Sequence, residues 1–137
     1  KYKVKKSVGI EFSKERCKFI SDIKEKYPNL DYSNISILNE SFFDSDISDA
    51  TIIYLDNTMY TEPDYEYPIY NKIPDGCMII HRKQIFNRGK GEIDDMYKTS
   101  YGKNIIYHHI KKDNITESEI EDKKKLLERI HIKKESK

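Results

Sequence analysis

The sequence predicts an α/β protein built on a mostly parallel sheet, and three observations carry that expectation. The apolar runs Thr51-Ile52-Ile53-Tyr54-Leu55-Asp56 and Cys77-Met78-Ile79-Ile80-His81 have the length and β-branched content of buried strands. Segments of helical period alternate with strands over the first eighty residues, an order that builds β-α-β units and parallel pairing. The last strands follow one another with no helix between them, which predicts an antiparallel addition at one edge.

Each element has its own warrant. Val4 to Ile10 reads as a strand closed by Gly9-Ile10-Glu11. Ser13 is a helix N-cap, and the stripe Cys17, Ile20, Ile23, Tyr27 at spacings of three and four predicts a helix of about fifteen residues that Pro28 stops. Ile35 to Leu38 is a short strand, followed by the turn-rich Phe42-Phe43-Asp44-Ser45-Asp46. Between Tyr60 and Tyr70 a short helix is expected, interrupted at Pro68. Pro74-Asp75-Gly76 is a turn. Phe86 to Glu92 reads as a loop, Asp94-Asp95 as solvated loop acids, and Ile105 to Ile110 as the final strand. Thr116 with Glu119 forms a capping box that opens a charged helix to about Ile132, with Ile120, Leu127 and Ile130 on one side. The expected organisation is a core over residues 1–112 and a basic helix or tail over 113–137.

Composition limits the function classes. The chain has 137 residues, 36% hydrophobic and 36% charged, with a mean hydropathy of −0.84. Typical domains are about 45–50% apolar and about 25% charged, so this chain is short of core. No apolar run approaches the roughly 20 residues a membrane-spanning helix needs. The start, Lys1-Tyr2-Lys3-Val4-Lys5-Lys6, has no signal-peptide core and no initiator Met, and the expectation is a fragment of something longer. A net charge of +1 gives no global footprint for nucleic acid. The segment Lys123 to Lys137 is different, with a net charge of +5. Cys17 and Cys77 have no CxxC spacing, which predicts an intracellular reducing compartment and neither a disulfide framework nor a zinc site.

Three segments at strand ends carry chemistry. In nucleotide-binding α/β folds ligands sit outside the carboxyl ends of the strands, where a carboxylate can accept from ribose hydroxyls. Val8-Gly9-Ile10-Glu11 places an acid there; the plainer reading of Glu11 is a solvated loop acid. Asn39-Glu40-Ser41-Phe42-Phe43 places an aromatic where a flat heterocycle could stack, although adjacent Phe residues also serve as core. Leu55-Asp56-Asn57-Thr58-Met59-Tyr60 combines polar groups, a soft Met and an aromatic. Gly89-Lys90-Gly91 lacks phosphate-loop spacing. His108 and His109 are adjacent on a strand, point to opposite faces and cannot chelate together. There is no serine-hydrolase elbow.

Taken in order, these segments resemble the later half of a class I S-adenosylmethionine methyltransferase. More narrowly they resemble the histone-lysine methyltransferases of the disruptor-of-telomeric-silencing family, which lack a SET domain. Val8-Gly9-Ile10-Glu11 resembles that family's GVE segment, and Glu40-Ser41-Phe42-Phe43 its GDFL segment. Ile52-Ile53-Tyr54-Leu55-Asp56-Asn57-Thr58-Met59-Tyr60 resembles VIFVNNFAF, and Ser100-Tyr101-Gly102-Lys103-Asn104-Ile105-Ile106-Tyr107-His108 resembles SWTGKPVSYY. The ordered set spans about residues 4–112.

The resemblance implies a Rossmann-like sheet, an S-adenosylmethionine cofactor, no metal, a histone or nucleosome substrate and a nuclear location. It assigns cofactor contacts to Glu11 (ribose), Ser41, Phe42 (adenine) and Asp56, and catalytic positions to Asp56, Asn57, Tyr60 and Tyr107. Met59, Tyr60 and Tyr107 would wall a lysine channel, where desolvation favours the neutral amine that in-line displacement requires. The Lys123–Lys137 segment is expected to contact nucleic-acid phosphate, its other reading being a solvated helix. The sequence departs from the family in three places. Ser41 stands for an aspartate, Asp56 for an asparagine, and Ser100 or Tyr101 for a tryptophan. Before Val4 there is also no first strand and no Gly-rich DxGxGxG turn. That first strand lies between the second and fourth strands of the class I sheet. Its absence predicts bare backbone ladders, filled by an upstream segment or another chain. An inactive structural or regulatory subunit and a nucleic-acid methyltransferase are the alternatives.

Overall fold

A computed structural model describes residues 4–58, 62–99 and 102–136. The chain forms an α/β fold divided into two compact units, Lys1–Asp46 and Ile47–Lys137. Each unit begins with a parallel β-α-β crossover, the Rossmann-like element that the alternation of strands and helices predicts.

In the first unit β1 (Ser7–Ile10) leads through α1 (Lys14–Lys26) to β2 (Ile35–Leu38), in register from Ser7 opposite Ile35 to Ile10 opposite Leu38. Ser13 is the N-cap of α1, its hydroxyl accepting from the Arg16 N–H, and the helix ends at Lys26, with the C-cap Tyr27 immediately before Pro28. The expected stripe is present in sequence, yet no residue of α1 is buried. A 3₁₀ turn, Phe42–Asp44, occupies the turn-rich segment.

In the second unit β3 (Ile52–Leu55), α2 (Pro63–Lys72) and β4 (Met78–His81) make the parallel crossover. Two antiparallel strands follow, β5 (Lys90–Thr99) and β6 (Gly102–Ile110), then α3 (Glu117–Glu135). The sheet order is β3-β4-β6-β5, while β1 and β2 form a separate two-stranded sheet. Both β1 and β3 therefore have a single strand neighbour among the described residues. The described buried hydrophobic residues, Ile47, Ile69, Tyr70, Ile73, Cys77, Ile79, Ile85, Ile115 and Ile120, all belong to the second unit.

Two expectations are corrected. Residues 90–92 and the acids Asp94-Asp95 lie in β5, paired with β6, and not in a loop. Lys90-Gly91-Glu92-Ile93-Asp94-Asp95 is charged because β5 is an edge strand, and charge keeps an edge from pairing further. The second helix also runs through Pro68. Pro63 at its first turn costs no hydrogen bond, Pro68 forfeits one, and the burial of Ile69 and Tyr70 holds the remainder.

Candidate functional site

In the first unit the candidate residues gather at the carboxyl ends of β1 and β2. Glu11 follows β1 directly. Its Oε1 accepts from the Ser13 N–H at 2.9 Å, and its Oε2 meets the exposed Arg16 guanidinium at 3.4 Å. The Ser13 N–H, more than the arginine, holds the Glu11 carboxyl below its ordinary value. Asn39, just past β2, donates from Nδ2 to the carbonyls of Glu11 and Phe12, both at 3.0 Å, and so ties the two strand ends together. Phe12, Ser13, Lys14, Glu15 and Asn39 line a shallow hollow, and the Phe12 ring is 77% exposed. Ser41 caps the 3₁₀ turn, its Oγ accepting from the Phe43 N–H at 3.3 Å, and Phe42 is half-buried in that turn. Sequence reasoning passed over Phe12, although an aromatic directly after the strand-terminal acid was the available signal.

In the second unit Asp56 and Asn57 follow β3. The Asp56 carboxylate accepts from the Thr58 N–H (3.5 Å) and Oγ1 (3.0 Å), closing an Asx turn that leaves Asp56 exposed. Asn57 is fully buried. Its Oδ1 accepts from the N–H groups of Arg82 (3.1 Å) and Lys83 (2.9 Å), and its Nδ2 donates to the Lys83 carbonyl at 2.7 Å. Asn57 thereby clamps the exit of β4 to the exit of β3. Tyr107 packs on the His81 ring, centroids 5.6 Å apart and planes 22° from parallel. Met59, Tyr60, Ser100 and Tyr101 lie outside the described residues.

Beside Tyr107 is a buried polar chain that no sequence pattern indicated. The Lys83 carbonyl can only accept, so His81 Nδ1 donates to it at 2.8 Å. His81 Nε2 must then accept from His109 Nδ1 at 3.1 Å, and His109 Nε2 accepts from the Tyr70 hydroxyl at 3.1 Å. With both imidazoles neutral, the form that burial favours, each junction holds one hydrogen. Burial, then the neighbouring His81 and Arg88, hold His109 down to about 4, and burial also lowers His81. Burial pushes the Tyr70 hydroxyl up to about 12. Arg88 lies over the Tyr70 ring and forks onto Glu119 with contacts of 2.8 and 3.2 Å, an arrangement that holds Glu119 down to about 2.

On α3 two lysines of the basic segment are engaged. Lys123 pairs with the buried Glu66 at 2.6 Å and Lys124 with Asp64 at 2.8 Å. Among the described residues no cluster of His, Cys, Asp or Glu could hold a metal ion, and no helix is long and apolar enough to cross a membrane.

No protein-family model matches the chain, and no curated protein matches it. Among solved structures it is similar to one described as a putative methyltransferase from Thermoplasma acidophilum, with a TM-score of 0.48 and 11% identity over 79% of this chain. The chain spans 58% of that protein's length.

Proposed function

We propose that this chain is the later part of an S-adenosylmethionine-dependent methyltransferase core that acts on protein lysine of the histone type. The observation that carries the reading is positional. Glu11, Ser41–Phe42 and Asp56–Asn57 stand immediately beyond the carboxyl ends of β1, β2 and β3, all strands of parallel pairs. That is where doubly wound α/β proteins hold nucleotides.

The residues of the first unit fit the adenosine part of the cofactor. Glu11 keeps lone pairs free for two ribose hydroxyls after accepting from Ser13, and the exposed Phe12 ring offers a flat apolar face for adenine. The bound cofactor would supply a methyl group on a sulfonium. Asp56 would stabilise positive charge near that group, and Tyr60 and Tyr107 would wall the lysine channel. Asn57 would position the loop after β4 and not touch substrate, since its polar atoms are committed to Arg82 and Lys83. In the same reading, phosphate contact from the basic segment falls to Lys125, Arg129, Lys133 and Lys134, because Lys123 and Lys124 have carboxylate partners.

The test is calorimetric titration with S-adenosylmethionine, followed by methyl transfer from labelled cofactor to nucleosomes, free histones and RNA. Glu11→Gln keeps an acceptor for Ser13 and is expected to weaken cofactor binding about tenfold, or about 1.4 kcal/mol. Labelling of histones alone supports the lysine reading, and labelling of RNA alone replaces it with a nucleic-acid methyltransferase. The commitment of Asn57 to the backbone favours a second reading, an inactive structural or regulatory module. Absence of cofactor binding would select that one.

A further inference from the structure

We infer that His81 is a positioning residue for Asp56: together with Asn57 it holds the Lys83 carbonyl, and the hydrogen order of the Tyr70–His109–His81 chain keeps that hold. The inference rests on the methyltransferase reading only for what Asp56 does at the strand end, and its geometry lies wholly within the second unit.

The Lys83 peptide joins the strand-end site to the buried histidines. Its carbonyl accepts from Asn57 Nδ2 at 2.7 Å and from His81 Nδ1 at 2.8 Å, one donor for each lone pair. Its N–H donates to Asn57 Oδ1 at 2.9 Å. Asn57 is thus bound at three points to residues 82 and 83, and Asp56 is its neighbour in the chain. The Asp56 carboxylate folds onto Thr58, so its direction follows the backbone of residues 56–58. A shift of the Lys83 carbonyl therefore moves Asp56 through Asn57.

The chain behind His81 is a strut and not a proton relay. It ends on a peptide carbonyl, which accepts a hydrogen bond but passes no proton on, and it begins at the fully buried Tyr70 hydroxyl. What it does is hold a ring. His81 is fully buried, Tyr107 stacks on its face, and Gly89 lies against its Nε2, where a Cβ would stand at 2.9 Å. His109 of β6 donates to the same nitrogen at 3.1 Å. Confined in this way, the ring keeps its Nδ1 hydrogen aimed at Lys83.

Acid acts on the junction between the rings. A hydrogen added to His81 Nε2 meets the one on His109 Nδ1; the rings separate, and rotation of His81 withdraws Nδ1 from the Lys83 carbonyl. Around the two rings stand Glu66 and Tyr70 of α2, Arg88 of the loop after β4, Tyr107 and His108 of β6, and Asp113. Behind these, Lys123 of α3 pairs with Glu66, Glu119 of α3 takes Arg88, and Lys111, whose partner is Asp75, lies over the Tyr70 ring. Glu66 and Asp113 favour the added proton, while burial and Arg88 oppose it. Burial is the largest of these influences, so the pair stays neutral until pH falls below the ordinary histidine value.

NMR on the 137-residue chain without cofactor tests this. An asparagine amide stands where Nδ1 does, and a glutamine amide where Nε2 does. His81→Asn keeps a donor for Lys83 and is expected to leave the Asn57 side-chain amide at its native exchange rate. His81→Gln keeps only the group that faces His109 and is expected to speed that exchange about tenfold or more, with the Ile79 amide still protected. The unaltered chain supplies a measurement that no misfolded variant can spoil. As pH falls from about 6.5 towards about 4, the Asn57 side-chain and Thr58 amide signals are expected to shift together while Ile79 stays protected. In His109→Phe no hydrogen faces His81 Nε2, and that step is expected to vanish. Two results overturn the inference: Asn57 signals that move only when Ile79 loses protection, or equal exchange in folded His81→Asn and His81→Gln. Under the methyltransferase reading, affinity for S-adenosylmethionine should fall about tenfold over the same pH interval. A chain that never binds the cofactor ends that reading and leaves the NMR outcome standing.

Discussion

The Tyr70–His109–His81–Lys83 chain has a direction imposed by its last acceptor, and that direction makes it sensitive to acid. A proton added at His81 Nε2 would face the His109 Nδ1 hydrogen across 3.1 Å, donor against donor. The surroundings do not compensate: Arg88 and Lys111 lie over the Tyr70 ring, and Glu66, Asp75, Asp113 and Glu119 supply only distant negative charge. Both histidines titrate below their ordinary value when folded, so the unfolded chain binds more protons through that interval. Stability is therefore expected to be fully present above about pH 6.5 and to fall as pH drops towards about 4. Glu119 adds a later loss from about pH 4.5 towards about 2. Urea unfolding at stepped pH should show both phases, and His109→Phe should flatten the first and spare the second. Gly89 is the neighbouring probe. A Cβ there would stand 2.9 Å from His81 Nε2 and 3.1 Å from His109 Nδ1, at a φ of +96°. Gly89→Ala is expected to cost about 1–3 kcal/mol, read from the same urea curves. Glu11 and Asp56 could be found by scanning for acids at strand ends. The histidine pair could not, because it depends on the register that puts His109 opposite Ile79 and Tyr107 opposite His81.

At the scale of elements, α3 is held on the second unit more by charge than by apolar burial. Its N-terminus is set by the Thr116–Glu119 capping box, Glu119 also takes the Arg88 fork, and Ile120 is its one buried residue. Lys123 then reaches α2, where Glu66 is 2% exposed and its Oε1 has no hydrogen-bond partner. Removing the lysine strands both oxygens of a buried carboxylate. Lys123→Met is expected to destabilise by about 3 kcal/mol or more, while Glu66→Leu combined with Lys123→Met returns most of the loss. A double-mutant cycle by chemical denaturation measures the difference, and equal losses in the single and double variants would show that the pair contributes little. Thr116→Ala should cost about 1 kcal/mol and shorten α3 by circular dichroism. The capping box was legible because all its parts lie within four residues. The path of α2 through Pro68 and the edge strand β5 were not, since tertiary burial overrode proline in one and edge charge masked strand character in the other.

Over the whole molecule, burial is distributed so unevenly that the two units should not share one stability. Every described buried hydrophobic residue lies at or after Ile47, whereas α1 buries none and Val8, Phe19, Ile35 and Leu38 are exposed. A two-stranded parallel sheet is a small structure to hold without a core, and regions poor in buried apolar contacts open at low free energy. What the first unit lacks is therefore burial and not apolar residues, which are as frequent there as in the second unit. Native-state hydrogen exchange on the 137-residue chain is expected to rank the units. The Gly9 and Leu38 amides should exchange through local opening that hardly depends on denaturant. Ile79 and Ile80 should follow the global unfolding of the second unit, with protection greater by about 100-fold or more. A common denaturant-dependent rate for all four amides would mean that the units open together, and that the first unit draws on stabilisation from outside its own residues.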